Sequence, residues 1–393
     1  MTTRRVLVVS EPMEYGVLAY LERLCDGLER SRWEPALAFS PRRMAPQAER
    51  LVGRLAARGR RVRRLPFHRG FGAGDLRAAA GLLGEIRAFR PDVLHLHSTK
   101  AGLIGRLAGA LTGTPAVYTP HGTSWQYTGR TLGRVQLALE RMLRRVTTTL
   151  LSVCPAEAAT FVDAVGFDPA RVRVVPAGVA IPSRAAVERA RRDGRVALGA
   201  GPADVWLVVV ARLTAEKGVD VLLRALAADV GVRGLLVVGD GPERGRLEAL
   251  AARTRTAVRF CGYRADPWPF IAAADVLVQP SRSEGLPFAL LDGMAHGLPV
   301  VATGVGGMPA AVDGCGLVVP PDDPAALGDA LRRLVSDRLA CRRLGDAGRA
   351  RIAREFDTRA MIAALEDAYD AAAGMSVAVP ARPAWRAEER AAH

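Results

Sequence analysis

Short apolar runs of four to seven residues alternate with segments of helical length along this chain of 393 residues, and the alternation restarts once near the middle. Parallel sheets give this pattern, because a helix must carry the chain back to the edge at which the next strand begins. Runs of this length and composition are typical of strands that are buried on both faces. The sequence therefore predicts an α/β protein with two doubly wound, Rossmann-like parallel-sheet domains that face a cleft.

The alternation also predicts where the domains divide. The runs of the first half are Val6–Ser10, Ala36–Ser40, Val62–Pro66, Asp92–His97, Ala116–Thr119, Thr148–Val153 and Arg171–Val175, and those of the second half are Val205–Ala211, Gly234–Gly239, Ala257–Cys261, Asp275–Gln279, Val300–Thr303 and Gly316–Val319. We expect an N-terminal domain over 1–180, a linker over 181–202 and a C-terminal domain over 203–356. Helical periodicity predicts a last helix over 357–373, and the Pro-, Ala- and Arg-rich end at 374–393 is expected to be disordered.

The stretch from Ser283 to Ala302 reads SEGLPFALLDGMAHGLPVVA; it follows the run Asp275–Gln279 and ends within the run Val300–Thr303. Its Gly-Leu-Pro turn predicts a helix start, where the backbone at 285–288 can turn N–H groups toward an anion. Glu284 precedes this turn and Asp292 lies about one turn into the helix, so both carboxylates can face one ligand. Amides suit phosphate and carboxylates suit sugar hydroxyls, so the stretch favours a phosphorylated, polyhydroxylated ligand.

This stretch resembles the signature of glycosyltransferase family 4, a family of retaining enzymes with the GT-B fold. That signature is a Glu, seven residues and a second Glu; here Glu284 fills the first position and Asp292 the second. The E-G-L-P and M-A-x-G-x-P-V-V-A patterns around it, and the G-V-G-G-M-P segment at Gly304–Pro309, are also similar to the family. Asp292 keeps the charge of the usual Glu and shortens its reach by one methylene.

The resemblance implies a GT-B fold and a last helix that crosses back onto the N-terminal domain. It also implies retaining transfer of a hexose-type sugar from a nucleotide-diphosphate sugar, with UDP favoured, to a hydroxyl acceptor. The donor would contact Glu284 through its sugar, Asp292 through its ribose, and the backbone of Gly285, Leu286, Pro287 and Phe288 through its diphosphate. No cofactor or metal is expected, because cations already present in the sequence can neutralise the diphosphate.

Two of these cations, Arg212 and Lys217, follow the first strand of the C-terminal domain. Cations at the carboxyl end of a parallel sheet can neutralise a pyrophosphate, and the family's R-x-x-x-x-K pattern, which grips the donor diphosphate, implies the same. The alternative is a local ion pair between Arg212 and an acid such as Glu216.

Tyr263 and Arg264 end a later strand, near which family members place the nucleotide base. A plain surface loop is the alternative there.

In the N-terminal domain, Gly16 follows the first strand. Its lack of a side chain would let the backbone approach a diphosphate, as in the Gly-Gly loop of the family. Tyr15 stands in place of the first of those glycines and is expected to reshape the acceptor side.

His121 ends a later strand and resembles the histidine that the family places near the transferred sugar, so we expect it to act in catalysis with Glu284.

Further aromatic and histidine side chains are candidates for the acceptor side. His97 shares a strand face with His95, in an arrangement similar to the family's H-x-H, and is expected to be structural or an acceptor-side polar group. A zinc site would need a third ligand at a suitable spacing, which the sequence lacks. Trp125 and Tyr127 lie just beyond His121, where they either form an aromatic platform for the acceptor or pack the loop.

The net charge of +15 is concentrated in residues 1–180, which contain 27 Lys and Arg and 14 Asp and Glu. Arginine clusters at 58–64 and 130–145 predict attraction to an anionic membrane surface or an anionic acceptor; a GC-rich genome that encodes many arginines is the alternative. Nucleic acid is not expected, because the sequence has no reader motif. The short first apolar run and the five scattered cysteines favour a cytoplasmic protein, with peripheral attachment to the inner membrane face as an extension.

The sequence thus favours a retaining glycosyltransferase of polysaccharide, envelope-glycan or glycoconjugate biosynthesis. Glycosylation of a soluble small natural product is the alternative for the acceptor. A sugar-nucleotide epimerase and a non-catalytic nucleotide-sugar-binding module are alternatives of another class, because the fold does not fix the reaction.

Overall fold

Two parallel sheets organise the chain. The structure, a computed structural model, describes residues 4–28, 32–67, 72–126 and 129–374. In this part of the chain each of the thirteen predicted runs forms a strand. The first sheet contains β1 (Arg4–Ser10), β2 (Trp33–Phe39), β3 (Val62–Arg64), β4 (Val93–His97), β5 (Ala116–Thr119), β6 (Thr149–Ser152) and β7 (Val172–Val174). The second contains β8 (Trp206–Val210), β9 (Gly234–Val238), β10 (Ala257–Gly262), β11 (Val276–Gln279), β12 (Val300–Thr303) and β13 (Gly316–Val319).

Helices connect the strands and cover the sheets. Those of the first domain are α1 (Tyr15–Leu28), α2 (Ala48–Ala57), α3 (Ala73–Phe89), α4 (Thr99–Thr112), α5 (Arg130–Leu143) and α6 (Pro155–Thr160). They are followed by α7 (Arg184–Leu198), α8 (Val219–Ala225), α9 (Arg244–Ala251), α10 (Trp268–Ala273), α11 (Phe288–Ala295), α12 (Met308–Val312), α13 (Pro324–Ser336), α14 (Arg338–Glu355) and α15 (Thr358–Ala372). The covering helices explain the continuous apolar strands: β4 and β9, for example, are buried along their whole length.

The strand order places one switch point in each sheet. The orders are β3-β2-β1-β4-β5-β6-β7 and β10-β9-β8-β11-β12-β13, and the neighbouring strands are parallel. The predicted fold of two doubly wound parallel sheets is therefore confirmed. Connections from β1 and β4, and from β8 and β11, leave in opposite directions, and ligands of such sheets bind at the carboxyl ends of these strands. The loops after Ser10, His97, Val210 and Gln279 are thus the places where a site is expected.

Helix α7 occupies the segment expected to be a linker, and it packs on the second domain. Its Arg191 and Arg195 contact the two carboxylate oxygens of Asp275 at 2.5 and 3.1 Å. A Cβ placed on Gly194 would lie only 2.7 Å from the Cβ of Ala273, so α7 and α10 approach closely there. The domain limits given above stay a prediction.

Helix α15 returns to the first domain. The hydroxyl of Tyr369 lies 2.6 Å from Nδ1 of His95, and Asp370 binds Arg4 at 2.5 Å. One apolar cluster accordingly runs from Val8 in β1 through Tyr369 to Leu290 in α11, so the sheets share a core. Residues 375–393, which include nearly all of the predicted disordered end, lie outside the described residues. None of the helices in the described part combines the length and apolar composition that a membrane span requires.

Candidate active site

A cleft of about 1850 Å³ lies between the carboxyl ends of the two sheets. Its walls come from both domains, as the switch points of the sheets require. Most of the predicted site residues line it, namely Tyr15, Gly16, His121, Arg212, Lys217, Tyr263, Arg264, Glu284, Gly285, Leu286, Pro287, Phe288 and Asp292. Folding thus brings residues of α1, such as Gly16, next to residues of α11, such as Phe288, although they are far apart in the sequence.

Two helix starts face each other across this cleft. Helix α11 begins at Phe288 after the Gly-Leu-Pro turn, and α1 begins at Tyr15. Pro287 carries no N–H, so only the N–H groups of Gly285, Leu286 and Phe288 can serve as anion donors in the predicted 285–288 segment. A Cβ on Gly16 would meet the Phe288 ring at an ordinary 3.6 Å. Protein packing alone does not demand glycine there, and the small residue leaves room for a ligand.

Glu284 forms the polar centre of the second domain's wall. Its Oε1 lies 2.6 Å from the ammonium of Lys217 and 3.2 Å from the hydroxyl of Ser281. The amide of Gln279 at the end of β11 donates to the same oxygen at 3.5 Å. A predicted sugar-binding carboxylate and a predicted diphosphate-binding cation are therefore direct neighbours. A ligand carrying both hydroxyls and a diphosphate could engage them together.

The glycines of the G-V-G-G-M-P segment support the loop of Glu284. Gly306 has a φ of +59°, and a Cβ there would lie 2.0 Å from the carbonyl oxygen of Glu284. The N–H of Gly307 donates to the carbonyl of Gly285 at 2.6 Å. No side chain fits between the two segments, because the backbones are in contact. This motif therefore shapes the site without contacting the cleft.

Asp292 is almost completely buried, and it faces an arginine of the other domain. Its Oδ1 lies 3.6 Å from Nη2 of Arg23 in α1, and the Arg23 guanidinium lies 4.4 Å from the centre of the Phe288 ring. Burial raises the pKa of Asp292 from 3.8 to about 6, although Arg23 acts to lower it. Sequence reasoning missed Arg23, since it belongs to an ordinary amphipathic helix and to no motif.

A second contact across the cleft involves Tyr15. Its ring packs edge-on against Tyr263 at 6.1 Å between centres, and the guanidinium of Arg212 lies 5.6 Å from it. Arg212 also pairs with Glu216 at 2.9 Å, so the local ion pair named as an alternative is present. Because both partners are about one-third exposed, this pair is weak. Arg264 lies over the ring of Phe270.

Three histidines form a chain beneath the first domain's wall. Nδ1 of His97 lies 2.9 Å from Nε2 of His121, and Nε2 of His95 lies 2.8 Å from the hydroxyl of Thr119. Burial lowers the pKa of His121 to about 4 and that of His95 to about 3, so both rings are neutral at physiological pH. His121 is therefore suited to hydrogen bonding with a sugar hydroxyl, and not to supplying a positive charge.

The predicted acceptor-side residues occupy different environments. Tyr15 lines the cleft, whereas His97 is fully buried behind His121 and cannot reach a ligand directly. The partly buried Trp125 ring packs against Phe161 at 4.9 Å and does not line the cleft, which favours the loop-packing alternative. Tyr127 lies outside the described residues.

Glu157 is a site-forming residue that sequence reasoning missed. It is buried and accepts hydrogen bonds from the N–H of Gly122 at 2.5 Å, the N–H of Val153 at 3.0 Å and the hydroxyl of Ser152 at 2.7 Å. These contacts fix the His121–Gly122 turn against β6. Its position in the first turn of α6, five residues beyond the end of β6, is a signal that could have been noticed.

Three of the five described non-glycine residues with a positive φ lie at this cleft. Tyr15, Ser98 and His121 have φ values of +49°, +69° and +58°, which residues with side chains rarely adopt. All three follow strands of the first sheet at its carboxyl edge. Tyr15 thus keeps the left-handed backbone that the family's glycine allows while adding a side chain. Strained residues that cluster in this way are typical of ligand sites.

Metal binding finds no support from the side-chain arrangement in the described ranges. Among these residues no group of three His, Cys, Asp or Glu side chains is placed to hold a metal ion. Lys217, Arg212 and the N–H groups at the helix starts are groups of the cleft whose chemistry suits an anion.

Known proteins resemble the chain over both domains. Residues 204–337 match the family described as Glycosyl transferases group 1, and residues 15–178 match the Glycosyl transferase 4-like domain. The chain is 33% identical to the D-inositol 3-phosphate glycosyltransferase of Geodermatophilus obscurus, over 81% of this chain and 78% of that protein. It is 27% identical to the UDP-Gal:alpha-D-GlcNAc-diphosphoundecaprenol alpha-1,3-galactosyltransferase of Escherichia coli, over 67% of this chain and 72% of that protein.

A solved structure shows the same fold. HepE from Anabaena, in complex with UDP and glucose, has a TM-score of 0.77 and 20% identity, covering 92% of this chain and 98% of the other. The two family matches confirm the resemblance read from the Glu284 region. This chain belongs to the group 1 glycosyltransferases of family 4, enzymes of GT-B fold that use nucleotide sugars.

Proposed function

We propose that the chain is a retaining glycosyltransferase that moves a hexose-type sugar from a UDP sugar to a hydroxyl acceptor. The observation that carries the proposal is the junction at Glu284, where a carboxylate, the Lys217 ammonium and the start of α11 meet in one cleft. UDP is favoured because a relative uses UDP-Gal and a protein of the same fold holds UDP and glucose.

The donor is held by groups of both domains. Its diphosphate lies against the N–H groups of Gly285, Leu286 and Phe288 and takes Lys217 as a partner, while Glu284 turns to the sugar hydroxyls. Asp292 accepts hydrogen bonds from the ribose. Gly16 leaves space for the diphosphate, and the exposed loop at Tyr263 and Arg264 contacts the base.

Transfer breaks the bond between the anomeric carbon and the diphosphate oxygen and forms a bond to the acceptor oxygen on the same face. The leaving diphosphate takes the acceptor's proton, so no separate base is needed. Lys217, Arg212 and the helix-start N–H groups stabilise the charge that develops on the departing oxygen. Glu284 and neutral His121 position the sugar, which raises the rate by orientation.

The acceptor is proposed to be a hydroxyl of a lipid-linked glycan in envelope or polysaccharide biosynthesis. The excess positive charge of residues 1–180 supports an anionic, membrane-bound acceptor at the inner face of a membrane. A soluble small natural product is the alternative acceptor.

A panel of nucleotide sugars, incubated with and without acceptor extracts, tests this function. The proposal predicts release of UDP from one donor and a labelled product that forms only when acceptor is present, with the donor's anomeric configuration kept in the product's NMR spectrum. Isomerisation of the donor without acceptor would instead identify an epimerase. Binding of donors without any conversion would identify a non-catalytic module, and inverted configuration would refute the retaining mechanism.

A further inference from the structure

The outer face of helix α5 carries an apolar row that points to solvent. Leu132, Val135, Met142 and Val146 are 48, 49, 56 and 36% exposed, and Leu139 lies half-buried in the same row. Their spacing of three and four residues places them on one side of the helix and of the short turn that continues it. Apolar rows in helices of globular proteins normally face the core, so this orientation is unusual.

The inward face of α5 explains the orientation. Glu140 is buried and holds both guanidinium N–H groups of Arg106 in α4, at 2.8 and 2.9 Å, and the hydroxyl of Tyr118 lies 3.3 Å from it. Arg106 is completely buried and its guanidinium covers the Tyr118 ring at 4.0 Å. Turning the helix over would break this buried pair and leave a buried charge without its partner, which is strongly destabilising.

The same segment carries an excess of positive charge. Residues 130–146 contain five arginines and one acid, Glu140, which Arg106 already neutralises. Arg141 and Arg144 bind the backbone carbonyls of Ala164 and Gly166, and carboxylates are not their partners. Arg134 and Arg145 are exposed, and among the described residues neither forms an ion pair.

The other arginine cluster behaves differently. Arg58, Arg60, Arg61 and Arg64 lie 3.8, 3.0, 2.8 and 3.4 Å from carboxylates of Asp26, Glu34, Glu85 and Glu49. Surface pairs of this kind compensate charge locally. These four arginines thus have carboxylate partners, whereas Arg134 and Arg145 of the α5 segment have none among the described residues.

We propose that the outer face of α5 docks on an anionic membrane surface, with Leu132, Val135, Met142 and Val146 in the interface and Arg134 and Arg145 among the lipid headgroups. A helix with an apolar row flanked by cations is the arrangement that binds anionic bilayers. A second copy of this chain fits less well, because two such faces would bring their arginines together.

Helix α5 lies next to the cleft. Gln136 of α5 bonds to Ser124 at 3.3 Å, and Ser124 lines the cleft together with His121. A lipid-linked acceptor at the membrane surface would thus enter beside the catalytic groups. This last step rests on the proposed function, whereas the docking itself does not.

Vesicle co-sedimentation of the full chain tests the docking. We expect binding to phosphatidylglycerol-containing vesicles at low salt, little binding to phosphatidylcholine vesicles, and a marked loss at high salt. Because each arginine near an anionic surface contributes about a fivefold change in affinity, Arg134→Glu with Arg145→Glu should weaken binding by about 25-fold or more. Leu132→Ser with Met142→Ser should weaken it with the charges intact.

Helix α7 offers matched controls, because Arg189, Arg192 and Val196 are exposed on the second domain and Val196 is 82% exposed. Arg189→Glu with Arg192→Glu, and Val196→Ser, should leave vesicle binding unchanged. UDP binding, measured by calorimetry, should be the same in all variants, so a failure of the donor proposal is recognised separately from a failure of docking.

Three results would overturn the proposal. The first is no binding to anionic vesicles at low salt, and the second is an equal loss in the α7 controls. The third is a dimer in sedimentation-velocity runs that the α5 substitutions dissociate while vesicle binding persists, which would assign this face to self-association.

Discussion

Asp292 is expected to lower the stability of the protein at neutral pH, and Asp292→Asn should restore it. The residue is 6% exposed, and burial raises its pKa from 3.8 to about 6 even with Arg23 at 3.6 Å. One pKa unit corresponds to about 1.4 kcal/mol. Ionising this carboxyl in the folded protein therefore costs about 3 kcal/mol more than in the unfolded chain.

The sign of the pH dependence follows from the direction of the shift. A raised pKa means that the folded state holds the proton more tightly, so its contribution to stability is full below about pH 4. That contribution is lost as the pH rises through about 6. Asn imitates the protonated carboxyl, so the variant should match the wild type at low pH and exceed it above pH 6, by up to about 3 kcal/mol.

Urea unfolding followed by circular dichroism at a series of pH values measures this difference. Asp193→Asn, on the exposed face of α7, is the matched control and should show no pH-dependent difference from the wild type. The Asp292→Asn variant should also bind UDP less tightly, because it loses the charged acceptor for the ribose hydroxyls. A stability difference that stays constant with pH, or a variant less stable than the wild type at neutral pH, would refute this reasoning.

Three further substitutions test other parts of the site. Glu284→Gln should lower transfer by about 100-fold and keep or tighten UDP binding, because Lys217 loses the carboxylate it contacts; UDP affinity that falls together with turnover would contradict this. Asp292→Glu, which restores the family's usual residue, should be tolerated and tighten UDP in calorimetry, and a large loss would mean that the backbone has adjusted to Asp. Gly306→Ala should lower the thermal midpoint more than Gly314→Ala, because both have positive φ but only the first Cβ meets backbone, at 2.0 Å; equal losses would argue against the loop contact.

Much of the fold could be predicted from the sequence because its signals are local. Each strand is a short apolar run between turn residues, and the parallel arrangement follows from the helices between the runs. The helix start at Phe288 was equally readable, since Gly and Pro fix the turn before it. The prediction that this helix start binds an anion follows from the free N–H groups there. Pro287 was wrongly included among the donors of the 285–288 segment, because proline has no N–H.

The rest depends on packing between distant segments, which local patterns do not encode. Arg23 meets Asp292 only because α1 and α11 start on opposite walls of the cleft. The sequence leaves open whether Trp125 forms a platform or packs the loop, and only the structure shows its ring against Phe161. The outward apolar row of α5 follows from one buried pair, Arg106 with Glu140, whose partners belong to different helices. Such contacts can be identified only from the folded structure, in which both chain segments have known positions.

The central claim is that this cleft holds a nucleotide diphosphate at Lys217, Arg212 and the start of α11. Calorimetric titration of the wild type and of Lys217→Ala with UDP and with uridine tests it most directly, because the two ligands differ only in the diphosphate. Each charge-assisted contact contributes about 1.5–3 kcal/mol, so UDP should bind the wild type at least about 100-fold more tightly than uridine, and the gap should shrink by about tenfold or more in the variant. Equal affinities for the two ligands, or a gap that Lys217→Ala leaves unchanged, would contradict the account.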